Sequence, residues 1–208
     1  MPPALEVEAL PHIDAVLISH NHYDHLDTAT VKRLARQAGG APRFFVPLGL
    51  RAWFAAKGID HVIELDWWDR QAFGPLAMTC TPVQHWSARG TFDRNRTLWC
   101  GWRVDAPRFS FFFAGDTGYS PDFVDIHRRL GPVMKAVSGR RRMRSNFRQL
   151  AIDIQNCGLQ VRSGMAGGAI LLVRAAQQAN RAGSVMRHVA TVASILRDRT
   201  IPADIRGV

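Results

Sequence analysis

Ile13-Asp14-Ala15-Val16-Leu17-Ile18-Ser19-His20-Asn21-His22-Tyr23-Asp24-His25-Leu26-Asp27 is the stretch that decides how this chain folds. Residues 16–18 form an apolar run bounded by polar residues, the pattern of a short buried strand. The run leads directly into H-x-H-x-D-H, which packs three imidazoles and a carboxylate together. In extended chain, alternate side chains share a face, so His20 and His22 can address one ion. Asp24 and His25 follow where the chain turns and can point elsewhere, which suits more than one metal. A His-rich surface tract can also bind metal adventitiously. A buried strand before the cluster and a helix after it favour a built site instead. Imidazole and carboxylate donors suit zinc best, with iron or manganese as alternatives.

Downstream, Asp27 or Thr28 is placed to cap a helix running to about residue 38, with Val31, Leu34, Ala35 and Ala38 on one face and Gly39-Gly40 as its stop. A strand over residues 43–47, a helix over about 48–57 and a strand over 62–65 continue a β-α-β-α-β order. From Phe73 the pattern changes to strands. Leu76, Met78 and Cys80 alternate with polar or small residues, as do Leu98, Cys100, Trp102 and Val104. A further strand over 108–114 ends at Gly115-Asp116-Thr117-Gly118. Ser120 as N-cap, Pro121 at the first helical position and acidic Asp122 and Asp125 then open a helix that Gly131 ends. The β-α-β-α-β order favours an α/β sheet with helices on at least one face.

Two more donors sit at strand exits: His85 after Val83, and Asp116 after the Phe111-Phe112-Phe113 run. Taken singly, a histidine is commonly a packing residue and an aspartate before Thr-Gly a turn former. Three strand exits offering His, His and Asp are what a site along one edge of a sheet requires. His20-Asn21-His22-Tyr23-Asp24-His25, Thr81-Pro82-Val83-Gln84-His85-Trp86-Ser87 and Ala114-Gly115-Asp116-Thr117-Gly118-Tyr119 together resemble the metallo-β-lactamase superfamily. The similarity covers about residues 3–132. Its nearest branch is the hydrolases related to N-acyl-phosphatidylethanolamine-hydrolysing phospholipase D, on the strength of Tyr23, Leu26-Asp27 and Gln84-His85-Trp86.

The resemblance implies a metallo-β-lactamase-like αββα sandwich with a binuclear zinc site at one edge. His20, His22 and His85 would hold the first zinc; Asp24 and His25 would help hold the second, and Asp116 would bridge them. It implies hydrolysis of a small or lipid-like phosphodiester by a metal-bound hydroxide, oriented and deprotonated by Asp24 and Asp116. Tyr23 and Trp86, beside ligands, would line the substrate entrance. Asp27 is either an outer partner of a ligand imidazole or a helix cap. The nearest rival chemistry is a lactone or acyl hydrolase of the same fold; a fragment that only binds metal or polyanions is the non-catalytic alternative.

The family pattern also implies strands ahead of the first motif, and a later strand with a final histidine for the second metal. Neither is recognisable here, so residues 16–18 are expected to keep an open edge. His188 is the only histidine beyond residue 132. Composition divides the chain near the same place. The net charge is +10, yet residues 1–132 carry 14 basic and 14 acidic side chains, and residues 133–208 carry 13 and 3. All aromatic residues but Phe147 lie in the first part. Two segments are therefore expected: a partial metallo-β-lactamase-like domain over 1–132, and a basic, helical segment over 133–208 with helices near 166–182 and 184–197. The tail's composition also matches a frame-shifted reading of GC-rich DNA. Its Arg140-Arg141-Arg142-Met143-Arg144 run offers non-specific attraction to nucleic acid or anionic lipid, but lacks interleaved aromatics. Three scattered cysteines, no secretory pattern at Met1 to Glu6 and no long apolar run point to a reduced, cytoplasmic protein without a transmembrane segment.

Overall fold

Period-two alternation sorts the first strands' side chains onto two faces. In β1 (Ala15–Leu17), Val16 faces one way, and so does Ile18 just beyond the strand; Ala15 and Leu17 face the other. The computed structural model describes residues 7–107, 109–133, 135–137, 171–173 and 193–194. β2 (Arg43–Pro47) and β3 (Val62–Leu65) run parallel to β1, with Ala15 opposite Arg43 and Phe44 opposite Val62. Parallel neighbours need crossovers, and two helices supply them. In α1 (Thr28–Ala35) the Asp27 carboxylate accepts from the Thr30 N–H at 2.8 Å, and Val31 and Leu34 face inward. In α2 (Arg51–Ala55) Phe54 does the same. Val16, Ile18, Val31, Leu34, Phe44, Val46, Leu50 and Phe54 form one cluster between helices and sheet.

The second sheet starts with a tight hairpin. β4 (Arg70–Phe73) pairs antiparallel with β5 (Leu76–Thr81), Phe73 opposite Leu76, and Gly74 takes a positive φ between them. β6 (Gly101–Ala106) and β7 (Phe109–Phe113) continue antiparallel. Phe111 and Phe113 point between the sheets with Leu17, Phe45, Met78, Cys80, Cys100, Trp102 and Val104. Phe112 points outward and packs with Ile126 and Phe123 of α3 (Asp122–Leu130). Helices cover both outer faces, giving the four-layer αββα arrangement. Burying each large apolar side chain between the sheets contributes about 1.5–3 kcal/mol.

Several local expectations change. A strand does follow residue 132: β8 (Lys135–Val137) lies parallel to β7, with Phe111 opposite Lys135. Gly131, at φ 72°, turns the chain back to it. β1 has no open edge, because β9 (Leu171–Val173) pairs antiparallel with it, Val16 opposite Leu172, and β10 (Ala193–Ser194) pairs with β9. The described parts of 166–182 and 184–197 are thus strand rather than helix; short apolar runs do not separate the two by periodicity. Helix α3 begins at Asp122, with Pro121 in the cap position, and Ser120 Oγ donates to Asp122 Oδ2 at 2.6 Å instead of capping. The basic run at 140–144, Cys157 and His188 lie outside the described residues. Among the described residues no helix is long and apolar enough to cross a membrane.

Candidate metal centre

The sheet register brings three strand exits to one edge. β6 is antiparallel to both β5 and β7, so those two strands end on the same side, and His85 and Asp116 follow their ends. The exit of β1 is tied to the entrance of β6 by two contacts and to β2 by a third. The Cys100 N–H donates to the Ser19 carbonyl at 2.8 Å, Trp102 Nε1–H to the Ile18 carbonyl at 2.9 Å, and the Ile18 N–H reaches back to Phe45 at 3.0 Å. The loops after β5 and β7 are joined in turn. Gly118 N–H donates to the Gln84 carbonyl at 2.9 Å, and the Gln84 N–H to Thr117 Oγ1 at 3.1 Å. Backbone bonding thereby fixes His20, His85 and Asp116 relative to one another.

Three imidazole nitrogens converge at the centre. His20 Nε2 lies 2.8 Å from His22 Nδ1 and 3.1 Å from His85 Nε2, and the latter two are 3.3 Å apart. Each ring nitrogen either donates a proton or offers a lone pair. A mutual triangle of such atoms cannot pair donor with acceptor on all three sides, so hydrogen bonding alone leaves one side with two like groups. A cation facing three lone pairs satisfies every nitrogen at once. With ligand bonds of about 2.0–2.1 Å, a tetrahedral site spaces nitrogens roughly 3.3 Å apart, close to what is seen. His20 is prepared for this role. Burial, then the neighbouring His25, His85 and His22, push its pKa far below the ordinary imidazole range, keeping it neutral. Its Nδ1 lies 2.9 Å from Ser19 Oγ, which can accept a proton held on Nδ1; in that tautomer the Nε2 lone pair points inward.

A second group abuts the first. His25, with its side chain 2% exposed, places Nε2 3.4 Å from Asp116 Oδ2 and 3.7 Å from Asp24 Oδ2. His20, His25 and Asp116 satisfy the spacing for a metal group, as do His20, His22 and His85. The His20 ring lies 4.1 Å from that of His25, so the two groups share a wall. One lone pair cannot serve two ions, whereas a carboxylate has two oxygens, and Asp116 brings one to the group it forms with His20 and His25. Asp24 stands at the rim, its side chain 58% exposed, and belongs to neither group. Tyr23 is 67% exposed and Trp86 39%, the latter with its ring 4.3 Å from that of His22. Asp27 is a helix cap, bonded to both the N–H and the hydroxyl of Thr30.

Two residues that carry no signal in the sequence, Arg89 and Arg94, also border the site. Arg89 donates from Nη1 to the carbonyls of Asn21 at 2.9 Å and Leu26 at 2.6 Å, on either side of the metal-binding loop. Arg94 lays its guanidinium 4.7 Å over the Trp86 ring, bringing a cation to the rim. Both sit in a polar loop without periodicity. Asp93, which accepts from the Arg89 and Gly90 N–H groups, is the one local sign that this loop is ordered.

The sequence model of the β-lactamase superfamily domain matches residues 1–181. The chain belongs to this superfamily. Among superfamily relatives, an uncharacterized protein of Mycobacterium tuberculosis is 43% identical over 133 residues, which span 63% of this chain and 35% of that protein. A Caenorhabditis elegans protein named N-acyl-phosphatidylethanolamine-hydrolyzing phospholipase D 1 is 39% identical over 141 residues, 63% of this chain and 39% of its own length. The chain thus spans little more than a third of these curated relatives. Among solved superfamily folds, CmlA, a diiron β-hydroxylase from Streptomyces venezuelae, superposes with a TM-score of 0.52 at 24% identity, over 62% of this chain and 26% of its own. That likeness speaks for the fold alone.

Proposed function

We propose that the chain is a two-zinc hydrolase that cleaves a phosphodiester of small or lipid-like type. The observation that carries the metal is the triangle of His20, His22 and His85 nitrogens with His25 and Asp116 against it. In this reading His20, His22 and His85 would hold the first ion, and Asp116 and His25, with Asp24 reaching in from the rim, would hold the second. Zinc, when bound, supplies a Lewis acid and water activated at neutral pH. The chain's own part is to orient. The Asp116 and Asp24 carboxylates face the cluster and are the groups available to accept a proton from an attacking water. Tyr23 and Trp86 flank the approach.

A phosphodiester is favoured over a lactone by the rim. Arg94 stacks on Trp86, which packs on His22, so a guanidinium with several N–H donors stands at the rim, one ring removed from His22. Such a group pairs with phosphate oxygens and offers a neutral lactone much less. The name borne by the nematode relative supports the same class.

Elemental analysis of the purified protein, paired with turnover of a chromogenic phosphodiester and of a lactone, tests the reading. Two zinc ions per chain with preferred phosphodiester cleavage is the expected result. Preferred lactone cleavage transfers the chain to acyl hydrolysis, one ion without turnover makes it a metal binder only, and no metal ends the proposal.

A further inference from the structure

Resting on the metal-centre reading, we propose that Arg89 is a positioning residue that clamps the loop from Asn21 to Leu26 and so sets the geometry of His22, Asp24 and His25. The loop closes on itself through the His22 carbonyl: the N–H groups of His25 and Leu26 both donate to it, at 3.0 and 2.8 Å. The carbonyls of Asn21 and Leu26, at its two ends, take their bonds from a single nitrogen, Nη1 of Arg89. One guanidinium nitrogen carries two N–H groups at a fixed angle, so the two carbonyls are held at a fixed separation. The ends of the loop cannot spread without breaking a charge-assisted bond.

The guanidinium itself packs against two aromatic rings. Its central carbon lies 4.1 Å from the centroid of the Tyr23 ring and 5.2 Å from that of Trp53, which joins the helix-side core. At its own backbone, the Arg89 N–H donates to the Asp93 carboxylate, at 2.9 Å to the nearer oxygen, and Gly90 does so at 2.8 Å. Further out, Ser87 and Asn95 close the same loop, with the Asn95 N–H donating to the Ser87 carbonyl at 2.8 Å. A rigid loop therefore delivers a planar cation to two carbonyls while the cation's face packs on an aromatic from the clamped segment. A lysine at this position brings the charge without the plane or the fork. Tyr23, exposed beside the ligands, is placed by the same group.

The test is amide hydrogen exchange on the full-length, metal-free protein, alongside zinc titration, for the parent, Arg89→Lys and Asp93→Asn. In Arg89→Lys the His25 and Leu26 amides should exchange about tenfold faster or more, while amides of β5 and β6 keep their parent rates. Affinity for the second zinc should fall about 10–100-fold, the usual effect of losing a group that orients ligands, with the first zinc less affected. Asp93→Asn, which loosens the clamp from outside the metal loop, should shift the same amides in the same direction. Unchanged exchange at His25 and Leu26, or acceleration spread evenly over both sheets, overturns the clamp. A parent that takes up no zinc overturns the metal reading instead, and the exchange comparison still decides the role of Arg89.

Discussion

Gly115 sits so close to Ser19 that a methyl group on its α-carbon would lie 2.6 Å from Ser19 Cβ and 2.8 Å from Ser19 Oγ. Ser19 supports the His20 ring through Oγ, and Asp116 follows Gly115, so this one contact locks two donor-bearing segments together. Gly115 also has φ 60°, a region that side chains other than glycine's disfavour. Gly115→Ala should cost about 2–4 kcal/mol, combining left-handed backbone with overpacking. Urea unfolding monitored by tryptophan fluorescence measures it; a loss within experimental error of zero contradicts the tight packing.

Zinc should stabilise the folded chain, because the converging nitrogens exist only when β1 and β5 are in place. At free zinc about a thousandfold above its dissociation constant the gain is about 4 kcal/mol, or a Tm rise on the order of 10 °C. His85→Ala removes one corner of the triangle and should abolish most of that rise. Calorimetric scans with zinc and with a chelator give both numbers. Equal shifts in parent and variant mean that zinc binds elsewhere.

Replacing Arg94 by leucine should raise KM for an anionic phosphodiester about tenfold, the worth of one charge-assisted bond, with kcat little changed. A neutral lactone should show the same KM with either protein. Steady-state kinetics on both substrates separate the outcomes, and an equal effect on both removes the anion-binding role of Arg94.

Asp93 supplies the pH dependence. Backbone N–H groups, first that of Gly90 and then that of Arg89, hold its carboxyl below the usual carboxylate range. As pH falls, the unfolded chain therefore takes up this proton before the folded one. The stabilisation is complete above about pH 4, the unfolded value, and is lost as pH drops through the folded value. Asp93→Asn cannot titrate. The stability gap between parent and Asp93→Asn should be level above about pH 5 and close below about pH 4. A gap that stays level to acid pH shows that Asp93 is not held in this way.

Much of the architecture is legible in the sequence where side chains alternate over several residues. Met78, Cys80, Trp102 and Val104 announce their strands and their faces, whereas the unbroken Phe111-Phe112-Phe113 run announces a strand but not which side each ring takes. The donors His20, His22, His25, His85 and Asp116 are legible as strand-exit residues, and the structure gathers them at one edge. What escapes is short or non-local. Arg70-Gln71-Ala72-Phe73 is a strand because Leu76–Thr81 folds back on it, without an apolar pattern of its own. Lys135–Val137 spans three residues, too few for any period to show. Leu171–Val173 sits in an apolar run that reads equally well as helix, and only its pairing with β1 decides it. Arg89 acts through backbone carbonyls, and carbonyls carry no residue-type signal in the sequence.

The pairing of Val16 with Leu172 has a consequence for how the protein is made. During synthesis β1 and β2 emerge well before residues 171–173, and until those residues leave the ribosome the strand that leads to His20 has one hydrogen-bonding edge open. Contacts so distant in sequence form slowly, because the loop between them must close first. Over that interval an apolar edge and a cluster of imidazoles are exposed together, a surface prone to wrong strand partners and early metal capture. The strand that leads into the metal centre is thus made well before the segment that seals it.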